Sequence, residues 1–346
     1  MTETIRQRDR SVDIVRGIAI LMVVLGHTIS VITTDFENTF TYNIIWSLQM
    51  PLFFVISGYV TRYSRQISNG KAFGKFVFRR TIAYMVPWTV WTFLIRGIVF
   101  GQAPLLDLNY LLYNMDSGYW FLFSIYVITV IIGFSEFLAS KINKSQNVVK
   151  KTVLTTIFYL IGAGVLMSIG ILMGMSFLCI KLTLYYMPFY FVGYFFGKFK
   201  EELLNIGWIK KSKETFIAVA VIIYVFIIVN IELYSLSESL FDIVLRAATS
   251  LFGCIALCSL ISNFAKSKNK IFKFLDWAGV HSLEIYLLQY LTLNIFRLEE
   301  AIKFSSPKGF LLVGVNFLVT IAIIVVLIKI LNQNKVLKGF LFGKEK

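Results

Sequence analysis

Long, uninterrupted apolar runs constrain this chain more than any other feature of its sequence. About ten of them approach the roughly 20 residues that an α-helix needs to cross a bilayer, and none shows the short alternating pattern of a barrel strand. Their approximate bounds are residues 12–33, 41–62, 81–101, 117–138, 152–173, 178–197, 213–231, 240–262, 276–296 and 309–331. With 57% hydrophobic residues in 346, the sequence predicts an all-α integral membrane protein, a bundle of about ten transmembrane helices.

The basic residues alternate along these runs and predict the topology. Most of the 34 lysines and arginines precede the first run, follow the last, or fall in every second connection. Because basic loops remain cytoplasmic, we expect both termini inside the cell. Topology and attraction to the lipid bilayer therefore explain the net charge of +15, and no nucleic acid is expected as a partner.

The connections are too short for a separate soluble domain. The longest polar one covers about residues 62–80, so we expect residues 1–346 to form a single transmembrane domain. The basic start of the chain is also compatible with a signal peptide. No small-residue cleavage site follows His27, however, and the first run is predicted to be retained.

The first run carries three ionisable side chains in the stretch SVDIVRGIAILMVVLGH, residues 11–27. At about 100° per residue, Asp13, Arg16 and His27 share one face of a helix, with His27 about 16 Å beyond Arg16. An ionisable group costs about 3 kcal/mol to insert and is functional by default. Two alternatives stay open: Asp13 and Arg16 pair with each other and reach the membrane surface, or a neighbour simply satisfies the His27 imidazole.

His27 is the main candidate for a general base, because the chain contains only two histidines. The other, His281, is predicted to begin the ninth helix at the cytoplasmic surface, in contact with solvent. Glu284 of that helix is expected either to belong to the site or to pair with Arg246 or a tyrosine. No metal is expected. Further polar or aromatic residues that could support a pocket in the membrane are Gln49, Ser57, Trp120, Glu284 and Gln289.

Several of these residues belong to motifs that occur together in one family. The motifs are the arginine and histidine at 16 and 27, MPLFFVISGY (50–59), the Arg79–Arg80 pair, WFL (120–122), PFYFVGYFFG (188–197) and SLEIYLLQ (282–289). In this order they resemble the membrane acyltransferase-3 family, which includes bacterial O-acetyltransferases of surface polysaccharides.

The resemblance implies transfer of an acyl group, most often acetyl from cytoplasmic acetyl-CoA, to a hydroxyl of a cell-surface glycan or lipid-linked sugar. It also implies a multi-pass protein of the bacterial plasma membrane. His27 matches the family's essential histidine, and Arg16 and Asp13 match its arginine partner and the acid before it. Arg79 and Arg80 match part of a basic motif that faces the acyl-CoA.

Three positions depart from the family pattern. Ala83 stands where the basic motif often has another arginine, and Gln289 and Gln49 stand where histidines are common. These replacements leave His27 as the only strong base candidate, acting on the acceptor hydroxyl directly or as a relay that is transiently acylated.

A secondary transporter or exporter of a glycan or small solute is the alternative function. Ten helices with buried charges and prolines at 51, 87 and 188 are compatible with it. No internal repeat supports it, and Glu284 is the one acid expected near the middle of the membrane.

Overall fold

The computed structural model describes residues 9–64, 66–95, 97, 108–143, 147–293 and 302–343. Within them, six helices are long and apolar enough to cross a membrane, and each coincides with an expected run. They are Arg10–Ile32, Phe40–Tyr63, Trp120–Ile142, Val148–Met173, Leu240–Phe264 and Pro307–Leu331. The prediction of an all-α membrane protein is confirmed, whereas the count of ten spans stays a prediction.

The chain divides into two compact units, and the expectation of a single transmembrane domain stays a prediction. The first unit comprises residues 1–60 and 192–328. Its elements are α1 (Arg10–Ile32), β1 (Thr33–Thr34), α2 (Phe40–Tyr59), the end of α8 (Ile180–Asn205), α9 (Gly207–Asn230), α10 (Leu240–Phe264), α11 (Lys270–Val280), α12 (Ser282–Leu288), β2 (Ile302–Lys303) and α13 (Pro307–Leu331).

Two glycines allow α1 and α11 to pack backbone to backbone in the first unit. A Cβ atom at Gly17 would lie 1.9 Å from the carbonyl oxygen of Leu275, and one at Gly279 would lie 1.8 Å from that of Asp13. Since carbon and oxygen cannot approach so closely, only glycine permits this contact. The contact fixes α11 against the half of α1 that carries Asp13.

The far end of α1 is held by a two-residue parallel pairing of β1 with β2, in which Thr33 pairs with Ile302. Beside it, the exposed Lys303 Nζ lies 3.0 Å from Asp35 Oδ2. The pairing joins the end of α1 to the start of α13. Helix α1 therefore ends where helix α13 begins, and the two helices run in opposite directions. Helix α2 begins at this end as well.

The second unit comprises residues 61–191 and 329–346. Its elements are α3 (Gly70–Arg80), α4 (Val86–Thr89), α5 (Leu108–Tyr113), α6 (Trp120–Ile142), α7 (Val148–Met173), the start of α8 and α14 (Lys335–Phe342). The indole of Trp91 donates to the carbonyl of Leu341 over 2.9 Å and stacks on Phe342 at 6.3 Å. These contacts fasten α14 to the helical stretch around α4.

Two expected spans differ from the observed helices. The ninth, residues 276–296, consists of α11 and α12, which meet at His281, and residues 294–301 lie outside the description. His281 has a non-helical conformation with φ −100° and ψ 19°, and its ring stacks on Trp277 at 4.7 Å. Hydropathy averages over such a break and does not register it.

The third expected span, residues 81–101, continues a helical path that already begins at Gly70. Wider π-helical turns cover Thr81–Met85 and Val90–Ile95 on either side of α4. Pro87 lies between them. Because proline has no N–H to donate, a local change of helical hydrogen bonding is expected there. Residues 98–101 lie outside the description.

Helix α7 shows how the second unit meets lipid. Only 11% of its most apolar window is buried, and Leu160, Ile171 and Leu172 are among its exposed side chains. In water such a surface would be unfavourable. In a bilayer it is the surface that the acyl chains cover.

Candidate functional site

The first unit carries the predicted ionisable face on one continuous helix. Helix α1 runs without a break from Arg10 to Ile32 and therefore includes Asp13, Arg16 and His27. Asp9 caps its start by accepting from the backbone N–H of Ser11. The side chain of Asp13 is buried, and those of Arg16 and His27 are partly exposed. Over eleven residues an α-helix rises about 16 Å, which separates Arg16 from His27 along the axis.

Arg10, which sequence reasoning assigned only to topology, fastens the start of α1. Its guanidinium donates to the carbonyls of Ala265 at 2.8 Å and Ser267 at 2.6 Å, and its Nε lies 3.5 Å from Asp276. These bonds tie α1 to the turn between α10 and α11. They anchor the end of the helix that carries Asp13.

His27 is hydrogen-bonded to Gln289, a residue 262 positions later in the sequence. The imidazole Nδ1 lies 3.2 Å from Gln289 Oε1, and the ring of Tyr290 is tilted against the imidazole at 5.4 Å. Gln289 is completely buried, and the hydroxyl of Thr292 donates to its backbone carbonyl. The structure therefore brings together His27 and one of the expected supporting residues.

The orientation of the Gln289 amide defines the tautomer of His27. Gln289 Nε2 donates to the carbonyl of Tyr286 over 3.0 Å. Because a carbonyl only accepts, the amide nitrogen must face Tyr286 and the amide oxygen must face His27. In the neutral imidazole, Nδ1 then carries the hydrogen and Nε2 has the free lone pair. A ring held in this way presents Nε2 as a base or nucleophile.

Gln49 packs against Gly26, the residue that precedes His27 on α1. A Cβ atom at Gly26 would lie 3.1 Å from Gln49 Oε1 and 2.9 Å from a side-chain carbon of Ile45. Gln49 Oε1 is buried without a hydrogen-bond partner among the described residues. Ser57, partly exposed, lies two turns further along α2, about 12 Å from Gln49 along the axis.

Glu284 is completely buried in the first turn of α12, a helix that packs against α1. Arg246, one of its expected partners, is engaged elsewhere. The Arg246 guanidinium donates to the carbonyl of Ser237 and lies over the ring of Trp46 at 5.8 Å.

Three further candidates belong to the second unit. Arg79 is exposed at the end of α3. Arg80 lies 5.3 Å over the ring of Phe76 and 3.4 Å from the Ser64 hydroxyl. Trp120, partly exposed at the start of α6, stacks on Tyr186 at 5.6 Å. Their participation in one site with His27 stays a prediction.

Asn316 is a buried polar residue that sequence reasoning missed. It lies in α13, whose mean hydropathy reaches 3.0, and its side chain is 0% exposed. Neither its amide nitrogen nor its amide oxygen has a hydrogen-bond partner among the described residues. The sequence alone could have identified this residue, since inserting a lone asparagine into so apolar a run costs free energy and is unexpected without a functional role.

Fold and site together define an integral membrane protein with a tautomer-fixed histidine in its first transmembrane helix. The family model described as an acyltransferase domain matches residues 9–329. The chain belongs to this acyltransferase-3 family, as the motifs predicted.

Two curated relatives are nodulation proteins named NolL. The one from Sinorhizobium fredii is 28% identical over 210 residues, which cover 57% of this chain and 51% of the relative. The one from Mesorhizobium japonicum is 29% identical over 134 residues, or 36% of this chain and 35% of the relative. The chain thus spans about half the length of the first relative. No solved structure gives a significant match.

Proposed function

We propose that the protein is a membrane-bound O-acyltransferase of the bacterial plasma membrane. It moves an acyl group, most often acetyl, from cytoplasmic acetyl-CoA to a hydroxyl of a cell-surface or lipid-linked glycan. Membership of the acyltransferase-3 family supports this class of reaction. The observation that carries the proposal is the hydrogen bond between His27 Nδ1 and Gln289 Oε1, which leaves Nε2 as the reactive atom.

A neutral imidazole meets the main requirement of this reaction. A sugar hydroxyl is a poor nucleophile at neutral pH, and a positioned base raises its reactivity. In direct transfer, Nε2 takes the hydroxyl proton while the oxygen attacks the thioester carbon. The carbon–sulfur bond then breaks, and the departing thiolate takes the proton from Nε2.

The second route uses the same atom as a nucleophile. Nε2 attacks the thioester carbon, the carbon–sulfur bond breaks and the thiolate leaves. The glycan hydroxyl then attacks the carbonyl carbon of the acylated imidazole, the carbon–nitrogen bond breaks, and the released Nε2 takes up the hydroxyl proton and passes it to the thiolate. In both routes negative charge develops on the carbonyl oxygen, so a hydrogen-bond donor or cation near this oxygen lowers the barrier.

The arginines have the charge and the hydrogen-bond donors needed to bind the acyl donor. Coenzyme A carries phosphates, which a guanidinium binds with paired hydrogen bonds. We assign Arg79 and Arg80 to the phosphates of the nucleotide, and Arg16 to a phosphate or the pantetheine arm. The distance of about 16 Å between Arg16 and His27 is of the order of the length of that arm. The donor then remains on the cytoplasmic side while its acyl carbon reaches His27.

Transfer of label from radiolabelled acetyl-CoA to glycan, in membranes that contain the full chain, tests the proposal. We expect His27→Ala to lower the rate by about 10²–10⁴-fold, the usual contribution of a positioned base. His281→Ala is the matched control, because His281 stacks on Trp277 and is assigned no role in the reaction. Full transfer by the His27→Ala protein would refute the proposed role of the imidazole.

A further inference from the structure

The position of Asn316 follows from the contacts of its neighbours on α13. Val313, three residues earlier, packs in one cluster with Ile29 of α1 and Ile45 of α2. Thr320, four residues later on the same buried face, donates to the carbonyl of Thr292 over 3.2 Å. Asn316 therefore lies on the face of α13 that is directed at the core of the first unit, between these two contacts.

Gln49 occupies the corresponding position on α2. Helices α2 and α13 start from the same end, and α1 finishes there. One helical turn from the Ile29–Ile45–Val313 cluster leads to Gly26 on α1, Gln49 on α2 and Asn316 on α13. The closeness of Gly26 to both Ile45 and Gln49 supports this register. The two amides thus lie at the level of the residue that precedes His27.

The unsatisfied atoms specify the chemistry of a ligand. They are the amide oxygens of Gln49 and Asn316 and the amide nitrogen of Asn316. Buried polar groups are normally hydrogen-bonded, so three such atoms at one level need an explanation. A ligand that satisfies both oxygens has to donate hydrogens. A thioester carbonyl and ionised phosphates only accept, whereas a hydroxyl group both donates and accepts.

We propose that Gln49 and Asn316 form a subsite that binds hydroxyl groups of the sugar acceptor next to His27. The inference rests on the proposed acyl transfer, since it assigns an acceptor site to that reaction. The subsite lies on the His27 side of α1, away from Arg16 and Asp13. Basic loops predict that this side is nearer the outside of the cell. Donor and acceptor then approach His27 from opposite ends of α1.

Binding measurements test the subsite without requiring catalysis. The full chain in detergent is titrated with envelope glycan extracted from a strain that lacks the gene, and separately with coenzyme A. We expect Asn316→Leu and Gln49→Leu each to weaken glycan binding about tenfold or more, because buried partners of a substrate hydroxyl are lost. The affinity of each variant for coenzyme A should stay within about twofold of the wild-type affinity.

Thr320→Val is the matched control. It removes a hydroxyl from the same face of α13, but that hydroxyl already donates to Thr292, so glycan binding should not change. Equal glycan binding by the wild-type and Asn316→Leu proteins would overturn the subsite, as would absence of glycan binding by the wild-type protein. Weaker binding of coenzyme A by both amide variants would also overturn it, by assigning the amides to the donor's pantetheine arm.

A failed subsite and a failed function give different results. If His27→Ala abolishes acyl transfer while Asn316→Leu binds glycan normally, the subsite is wrong and the proposed reaction stands. If Asn316→Leu loses glycan binding while His27→Ala still transfers label, the subsite stands and the role of His27 is wrong.

Discussion

Two buried asparagines of the first unit, Asn43 and Asn316, should respond oppositely to replacement by leucine. Asn43 Nδ2 donates to the carbonyls of Ile228 at 3.0 Å and Ile231 at 2.7 Å, and its Oδ1 accepts from Leu233 N–H at 3.0 Å. At about 1 kcal/mol for each bond, Asn43→Leu should cost about 3 kcal/mol, and more where the backbone partners stay unsatisfied.

The side-chain amide of Asn316 makes no hydrogen bond to the described residues, so leucine removes the cost of burying that amide without breaking a bond. Burying an amide without a partner costs about 1–3 kcal/mol in protein mutational data. The ligand-free Asn316→Leu protein should therefore be as stable as the wild type or more stable by that amount. The two variants should differ by about 3–6 kcal/mol in the free energy of unfolding.

Thermal unfolding of the full chain in one detergent, without glycan or coenzyme A, measures the difference. The expected order of midpoints places Asn316→Leu at or above the wild type and Asn43→Leu well below it. A midpoint for Asn316→Leu as low as that of Asn43→Leu would show that Asn316 supports the folded state directly. The reasoning from its unsatisfied amide would then be wrong.

Three further sets of substitutions test the other contacts of the first helix, at Gln289, Gly279 and Arg16. Gln289→Leu should lower the acyl-transfer rate about tenfold or more and leave the KM for acetyl-CoA unchanged. Gln289→Glu still accepts a hydrogen bond from Nδ1 of His27, so this variant should retain more activity in the same assay. Gly279→Ala introduces a Cβ atom 1.8 Å from the carbonyl oxygen of Asp13 and should lower the free energy of unfolding by about 1–3 kcal/mol. The loss should appear as a lower yield of monodisperse protein in detergent, and a normal yield would contradict the close packing. Arg16→Lys should lower kcat/KM for acetyl-CoA, because an ammonium cannot form the paired bonds of a guanidinium; unchanged kinetics would exclude such pairing.

The sequence was sufficient to predict those parts of the fold that follow from the thickness of a bilayer. Six expected spans coincide with apolar helices of 23 to 26 residues, because each must cover the hydrocarbon core with its own hydrogen bonds satisfied. The same criterion failed at His281, since two short helices and one long helix have the same mean hydropathy. It also placed the third span eleven residues after the start of the helical path at Gly70.

The site was predictable only along single helices. Helical periodicity is enough to align Arg16 with His27, because both belong to α1. The bond from His27 to Gln289 depends on how α12 packs against α1, which the sequence does not give. Asn316 was missed because an isolated amide in an apolar run belongs to no motif. What marks this residue is that its buried amide has no hydrogen-bond partner among the described residues, which only the structure shows.

The glutamine at position 289 also limits where the proton of the reaction can travel. An amide accepts a hydrogen bond from Nδ1 but does not take up the proton, so a proton that Nε2 removes from a hydroxyl has to leave through Nε2 again. In direct transfer, the acceptor hydroxyl and the sulfur of the donor must therefore reach the same edge of one imidazole. A histidine at this position would offer a second titrating group. In the proposed reaction, glutamine at position 289 thus favours a single base, with the proposed donor contact of Arg16 on one side of His27 and the proposed Gln49–Asn316 subsite on the other.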